Sequence, residues 1–249
     1  MPTLMTAVVL LLGLLSVDPV KGRKCYKEDI FNKVNVKNGD VSTTAIPKDC
    51  SSLDLWDNEM GNLGATTVVG MLRASAALAE LHMYGTSIGD KYATVIAEAL
   101  KGNSTLKVLD LDGTNIGDKG ATTVAEALKV NNALRELHLD GNSIMQSGVA
   151  AIGEALKVKY CTDNAGPWLF NNMIGSSGAT VIAEALKYNC ALTELCLSGN
   201  NIADDGATAI GEALKVAVLG QQQHSHSGCN RNYTGAESQH CTYIPISRV

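Results

Sequence analysis

The phrase LKVLDLDGTNIGDKGATTVAEALK begins at Leu106 and returns as LRELHLDGNSIMQSGVAAIGEALK from Leu134 and as LTELCLSGNNIADDGATAIGEALK from Leu192. A turn hydrophobe keeps the phase: Met60, Ile88, Ile116, Ile144, Ile174 and Ile202 follow one another at 28, 28, 28, 30 and 28 residues. A fixed period of this length constrains the fold more than any composition could. Each unit is one supersecondary element that buries its apolar face only against the next copy.

Each unit has two halves with different periods. The LxLxL half alternates apolar and polar residues, the mark of a strand with leucines on one side. The second half carries apolar residues at helical spacing, for instance Ala121, Val124, Ala125 and Leu128. Parallel strands stack at about 4.8 Å, whereas packed helices need about 8–10 Å. A stack with strands on one side and helices on the other must bend, with the strands lining the hollow. The expected fold is therefore α/β: a curved solenoid, or partial horseshoe, with parallel strands on the concave face and helices on the convex face. Aromatic residues are 4% of a chain that is 45% hydrophobic, as suits small-residue packing between repeats.

The pattern LxxLxLxxNxI followed by GDxGAxxIAEALK resembles the 28-residue, ribonuclease-inhibitor class of leucine-rich repeats, which also occurs in nucleotide-binding immune receptors. The resemblance spans about two-thirds of the chain. It implies a protein-binding scaffold rather than a catalyst, and it does not name the ligand.

Four segments follow. Residues 1–22 read as a signal peptide: the apolar run Ala7–Val17 suits an h-region and is too short to span a bilayer, although no Lys or Arg precedes it. Residues 23–49 read as a flanking cap over the first repeat. Residues 50–215 hold six repeats. Residues 216–249 read as a disordered tail, because from Gln221 they are rich in Gln, Ser, His and Asn. A secreted or lumenal location follows, a cytoplasmic one being the alternative. Of seven cysteines, Cys25, Cys50, Cys161, Cys190, Cys229 and Cys241 are the disulfide candidates. Cys25–Cys50 could tether the cap, and Cys161 and Cys190 occupy turns of neighbouring repeats. Cys196 reads as a lone concave thiol. Asn103-Ser104-Thr105 and Asn232-Tyr233-Thr234 are glycosylation sequons, making Asn103 and Asn232 acceptors if the chain is secreted.

The turns and helix starts carry their own expectations. Asn58, Asn142, Asn172 and Asn200 share one turn position, with Thr86 and Thr114 in two repeats; buried side chains there are expected to bond turn backbone as a ladder. Asn62, Asp90, Asp118, Ser176 and Asp204 mark helix starts and are expected as N-caps, Gln146 being the exception. Glu98/Lys101, Glu126/Lys129, Glu154/Lys157, Glu184/Lys187 and Glu212/Lys215 are i,i+3 pairs of a solvated convex face. The fifth repeat departs from the pattern. It has two extra residues, and Asn164 and Pro167 stand at anchor positions, so the sheet is expected to be interrupted or bulged there. A specialised loop presenting Trp168 and Phe170, decay of a redundant repeat, or an error in the gene sequence would each produce this.

Alternation places eighteen strand residues on the concave side. Seven of them are acidic and none is Lys or Arg. The candidate partner-binding set is Asp54, Trp56, Glu80, His82, Tyr84, Asp110, Asp112, Glu136, His138, Asp140, Trp168, Phe170 and Glu194. Acid flanked by aromatics suits a basic protein ligand, in defence or inhibition. A formal charge of −5 argues against nucleic acid as a partner. The alternative function is an intracellular regulatory repeat protein, related to immune receptors or GTPase-activating repeat proteins. No hydrolase, phosphate-loop or dinucleotide motif is present, so no enzyme activity and no cofactor are expected. The column His82–Asp110–His138 and the tail residues His224, His226, Cys229, His240 and Cys241 have metal-ligand chemistry. Both read more simply as ordinary polar surface, and no metal is expected.

Overall fold

The computed structural model describes residues 23–26, 50–55, 68–73, 75–158, 166–189, 192 and 195–223. Six strands form one open parallel sheet in chain order: β1 Arg23–Tyr26, β2 Cys50–Asp54, β3 Glu80–His82, β4 Val108–Asp110, β5 Glu136–His138 and β6 Gly166–Trp168. Helices follow the later strands: α1 Gly89–Gly102, α2 Asp118–Val130, α3 Gln146–Val158, α4 Gly175–Leu186 and α5 Asp204–Gln223. Each packs against the next, so sheet and helices form two parallel layers.

The period-two pattern is realised in the core. Leu53, Leu81, Leu109 and Leu137 form one buried row, and Leu55, Met83, Leu111, Leu139, Leu169 and Leu197 form a second. Burying one leucine contributes about 1.5–3 kcal/mol, and each row repeats that contribution at every step. Ala121, Val124, Ala125 and Ala127 close the core from α2. The i,i+3 pairs lie on the opposite face: Lys101–Glu98, Lys129–Glu126 and Lys157–Glu154 at 2.6 Å, and Lys187–Glu184.

The turn ladder forms as its chemistry requires. Asn142 Oδ1 accepts from the N–H groups of Thr114 (3.1 Å) and Ile116 (2.9 Å) in the preceding repeat. Its Nδ2 donates to the carbonyls of Leu111 (2.8 Å) and Leu139 (3.0 Å). Asn172 and Asn200 act in the same way one and two repeats on. Thr114 bonds the carbonyl of Leu111 at 2.6 Å, and Thr86 that of Met83. A hydroxyl satisfies its own turn, whereas an amide also stitches the repeat before it.

A second ladder runs along the helix ends. Asn103, Asn131 and Asn189 follow their helices and are buried. Asn131 Nδ2 donates to the carbonyl of Leu100 (2.6 Å), while its Oδ1 accepts from Ala133 and Leu134 (2.8 Å each). Asn103 Nδ2 donates to the carbonyl of Leu72 at 2.6 Å. The Asn103 sequon therefore has a structural role in the folded chain, because the nitrogen a glycan would occupy is buried and engaged.

Three of the helix-start residues, Asp90, Asp118 and Ser176, cap the neighbouring helix rather than their own, and Asn62 lies outside the described residues. Asp90 lies inside α1, yet its Oδ1 accepts from Gly117 (2.8 Å) and Gly120 (2.9 Å) at the start of α2. Asp118 does the same for α3 through Met145 and Gly148, both at 2.8 Å. Ser176 accepts from Ala203 ahead of α5. Each carboxylate satisfies the open N–H groups and positive end of the neighbouring helix. Gly120 makes room: a Cβ there would sit 2.7 Å from Asp90 Oδ1. Both Asp90→Ala and Gly120→Ala are expected to cost about 1–2 kcal/mol, and the double variant less than their sum. Urea unfolding of the four proteins measures this.

One further expectation is corrected. The sheet is not interrupted at the fifth repeat: β6 pairs with β5 in register, Leu137 opposite Pro167 and His138 opposite Trp168. Pro167 lacks a donor, but Leu139 N–H to Trp168 O (2.9 Å) and Gly141 N–H to Phe170 O (2.8 Å) hold the strand. The sheet thins one repeat later, where a single bridge joins Trp168 and Cys196. The cap segment contributes a strand of its own, β1, bridged to β2 by the Cys25–Cys50 disulfide with Cα atoms 5.9 Å apart. At the other end α5 runs to Gln223, so the first residues of the expected tail are helical. Cys161, Cys190, Cys229, Cys241 and Asn232 lie outside the described residues.

Candidate binding face

Strand register sets the columns of the outward face. Tyr26, Asp54, His82, Asp110, His138, Trp168 and Cys196 lie side by side. Beside them run Lys24, Ser52, Glu80, Val108, Glu136 and Gly166. The residues between them, Cys25, Leu53, Leu81, Leu109, Leu137 and Pro167, are buried, and the two columns lie on the other side of the sheet. Tyr84, Asp112, Asp140 and Phe170 stand just past the strands, in the same turns. Trp56 and Glu194 lie outside the described residues.

The column is a floor rather than a fringe. The side chains of Asp54 and Asp110 are only 12% and 13% exposed, whereas Glu80 and Glu136 are 48% and 45% exposed. Two of the floor acids already have basic partners. Lys24 on β1 reaches Asp54 Oδ2 at 3.1 Å, and that hydrogen bond raises the lysine above its ordinary range. The strand alternation of the repeats alone did not reveal this lysine, because β1 lies ahead of the period. His82 Nδ1 lies 3.4 Å from Asp110 Oδ2, and this contact raises the imidazole pKa. Burial would lift Asp110, but the His82 bond, the Asp112 N–H and the His138 ring together lower it.

Asp112 and Asp140 behave differently. Asp112 is pushed up to about 7, first by burial and then by the charges of Asp110 and Asp140. Burial also raises Asp140, against the N–H it accepts from Phe170 at 2.7 Å. Asp112 Oδ1 in turn accepts the Asp140 N–H at 2.7 Å. The backbone thus holds both carboxylates in place, in surroundings that disfavour their charge.

Aromatic surface flanks the acids. Trp168 stacks on His138 with ring centroids 4.9 Å apart and planes 6° from parallel. Tyr84 and Tyr26 are 44% and 48% exposed. Cys196 is buried and disulfide-bonded, so it is not the lone thiol read from the sequence. Among the described residues, Asp110, Asp112 and His138 have ligand atoms close enough to share a metal ion. No helix among the described residues is long and apolar enough to cross a membrane.

The family model for the leucine-rich repeat matches residues 102–125 and 188–211. The two matches begin 86 residues apart, three repeats including the longer one, so they mark the same phase of the same unit. No curated protein sequence matches the chain. Among solved structures, the chain is similar to leiomodin-1 actin-binding site 2, with a TM-score of 0.43 and 26% identity over 55% of this chain and 78% of that one. It is also similar to the tropomodulin C-terminal domain of Caenorhabditis elegans, with a TM-score of 0.47 and 16% identity over 65% of this chain and 97% of that one. At these scores neither likeness bears on function. The parallel sheet and the alternating helices give the chain the fold of a leucine-rich-repeat solenoid, and two stretches of it match the repeat's family model.

Proposed function

We propose that this solenoid is a non-catalytic binding module that captures a basic protein on the acidic, aromatic-flanked face of its sheet, in an inhibitory or defensive role. One observation carries the reading: Asp112 is held by backbone beside Asp110 and Asp140, where burial and like charge oppose its ionisation. Such an arrangement costs stability in the free chain, and Lys or Arg from a partner would relieve it. Glu80, Glu136 and Tyr84 stand higher and meet the partner first; the exposed acids steer approach and the aromatic surface supplies contact area.

The test uses immobilised full chain and a panel of basic proteins, ribonuclease A, lysozyme and histone among them, with acidic proteins of similar size as controls. Retention of one or more basic members is expected to fall with added salt. It should drop at least about tenfold in the Asp110→Asn/Asp112→Asn/Asp140→Asn variant, whose fold is checked by its unfolding midpoint. Retention indifferent to salt and to the triple substitution would overturn the reading.

The same reading includes a secreted or lumenal location. The Cys25–Cys50 bridge supports it, since disulfides persist in oxidising compartments. Expressed through a secretory route, the chain is expected to begin after Gly22 and to carry glycan at Asn232 and none at Asn103. Mass spectrometry of the purified protein checks each point, and an intact Met1 with unbridged Cys25 would exclude this location.

A further inference from the structure

We propose that the outward face of β4 and β5 binds a first-row divalent metal ion, zinc being the reference case, through the carboxylates of Asp110 and Asp112 and the imidazole of His138. The site extends beyond protein capture and needs no partner to be observed. It also differs from the His82–Asp110–His138 column suggested by the sequence, because His82 serves Asp110 and Asp112 takes its place as a ligand.

The geometry supports this set. One ligand atom from each of the three residues lies within 4.8 Å of the other two. Asp110 and His138 are register partners on adjacent strands, and Asp112 follows in the turn after β4. Two carboxylate oxygens and one imidazole nitrogen, with the remaining positions left to water, suit zinc and its neighbours better than calcium or magnesium, which favour all-oxygen sets.

The supporting residues are in place as well. Asp110 Oδ1 accepts the Asp112 N–H at 3.1 Å, and His82 reaches its other oxygen. The Asp140 N–H fixes Asp112 Oδ1. Trp168 stacks on His138 and fixes its ring plane. Contacts that orient ligands in this way are characteristic of metal sites. A second observation also points to a missing partner: His138 Nε2 is buried and makes no hydrogen bond, standing 3.7 Å from Glu136 Oε2.

Calorimetric titration of chelator-treated full chain with zinc chloride tests the site, with cobalt(II) as a spectroscopic probe and magnesium and calcium chloride as comparisons. The expected result is one zinc per chain, a visible cobalt band perturbed by the protein, and much weaker magnesium and calcium binding. His138→Gln and Asp112→Asn should each weaken zinc binding at least about tenfold while the protein still unfolds cooperatively. The tail offers competing ligands, so a variant with His224, His226 and His240 all changed to alanine is titrated alongside and is expected to keep its zinc. Loss of binding in that variant, no binding in the wild type, or binding untouched by His138→Gln and Asp112→Asn would each overturn the proposal.

Discussion

Asn142→Ala is expected to lower the unfolding free energy by about 3–4 kcal/mol. The amide bonds two N–H groups of the preceding repeat and two carbonyls, all in the buried turn column. An unpaired buried backbone group costs about 1–3 kcal/mol, and partial relaxation keeps the total below the sum. Asn142→Thr should lose roughly half as much, because Thr114 shows that a hydroxyl keeps the bond to its own turn carbonyl and lacks those to the repeat before it. Urea titration followed by circular dichroism separates the three proteins. Equal midpoints for Asn142→Ala and wild type would mean that the ladder contributes nothing.

The second large effect depends on pH. A carboxyl raised in the folded chain from 3.8 to about 7 is a group whose ionisation folding opposes. The sign follows by linkage: below about pH 4 the group is protonated in both states and the penalty is absent. Between about pH 4 and 7 the unfolded chain releases its proton first, so the penalty grows, and above about pH 7 it is complete. Asp112→Asn keeps an oxygen acceptor for the Asp140 N–H and cannot ionise. The variant is therefore expected to match wild type near pH 4 and to exceed it at pH 8, by a few kcal/mol at the most. Melting curves from pH 4 to 8, recorded with chelator present, give the difference directly. A constant offset across that range would show that Asp112 ionises normally.

The folding unit was legible because its signals are local. Leu81, Leu109 and Leu137 alternate with polar residues inside single strands, and the 28-residue period fixes which residues become neighbours. The helix caps were harder to place. Asp90 and Asp118 have the right chemistry at a helix start, but their acceptors face the next repeat, a direction that no linear spacing states. The glycine at 120, three residues into α2, was the available clue, since it leaves room for the incoming carboxylate. Asn103, Asn131 and Asn189 recur in phase at the helix ends, a signal that the sequon at Asn103 masks.

The face itself was partly legible. Period-two alternation put Asp54, His82, Asp110 and His138 in one column, where the register places them. It could not show that Lys24 pairs with Asp54, because β1 precedes the repeat and carries none of its motif. Nor could it rank the acids by depth: Asp110 and Glu136 look alike in the pattern, yet one is 13% and the other 45% exposed. Pro167 suggests a break because a missing donor weakens a ladder, but the bonds that Leu139 and Gly141 donate to the carbonyls of Trp168 and Phe170 hold the strand just past it.

Capture of a cationic partner by the strand side of the solenoid makes a claim about which carboxylates touch it. Zero-length carbodiimide cross-linking to a retained basic protein reads this out, since it joins a carboxylate only to an amine in direct contact. Cross-links from Glu80, Glu136, Asp112 or Asp140 to partner lysines are the expected result. Cross-links confined to Glu98, Glu126 and Glu154 on the helices would place the partner on the opposite face and contradict the account.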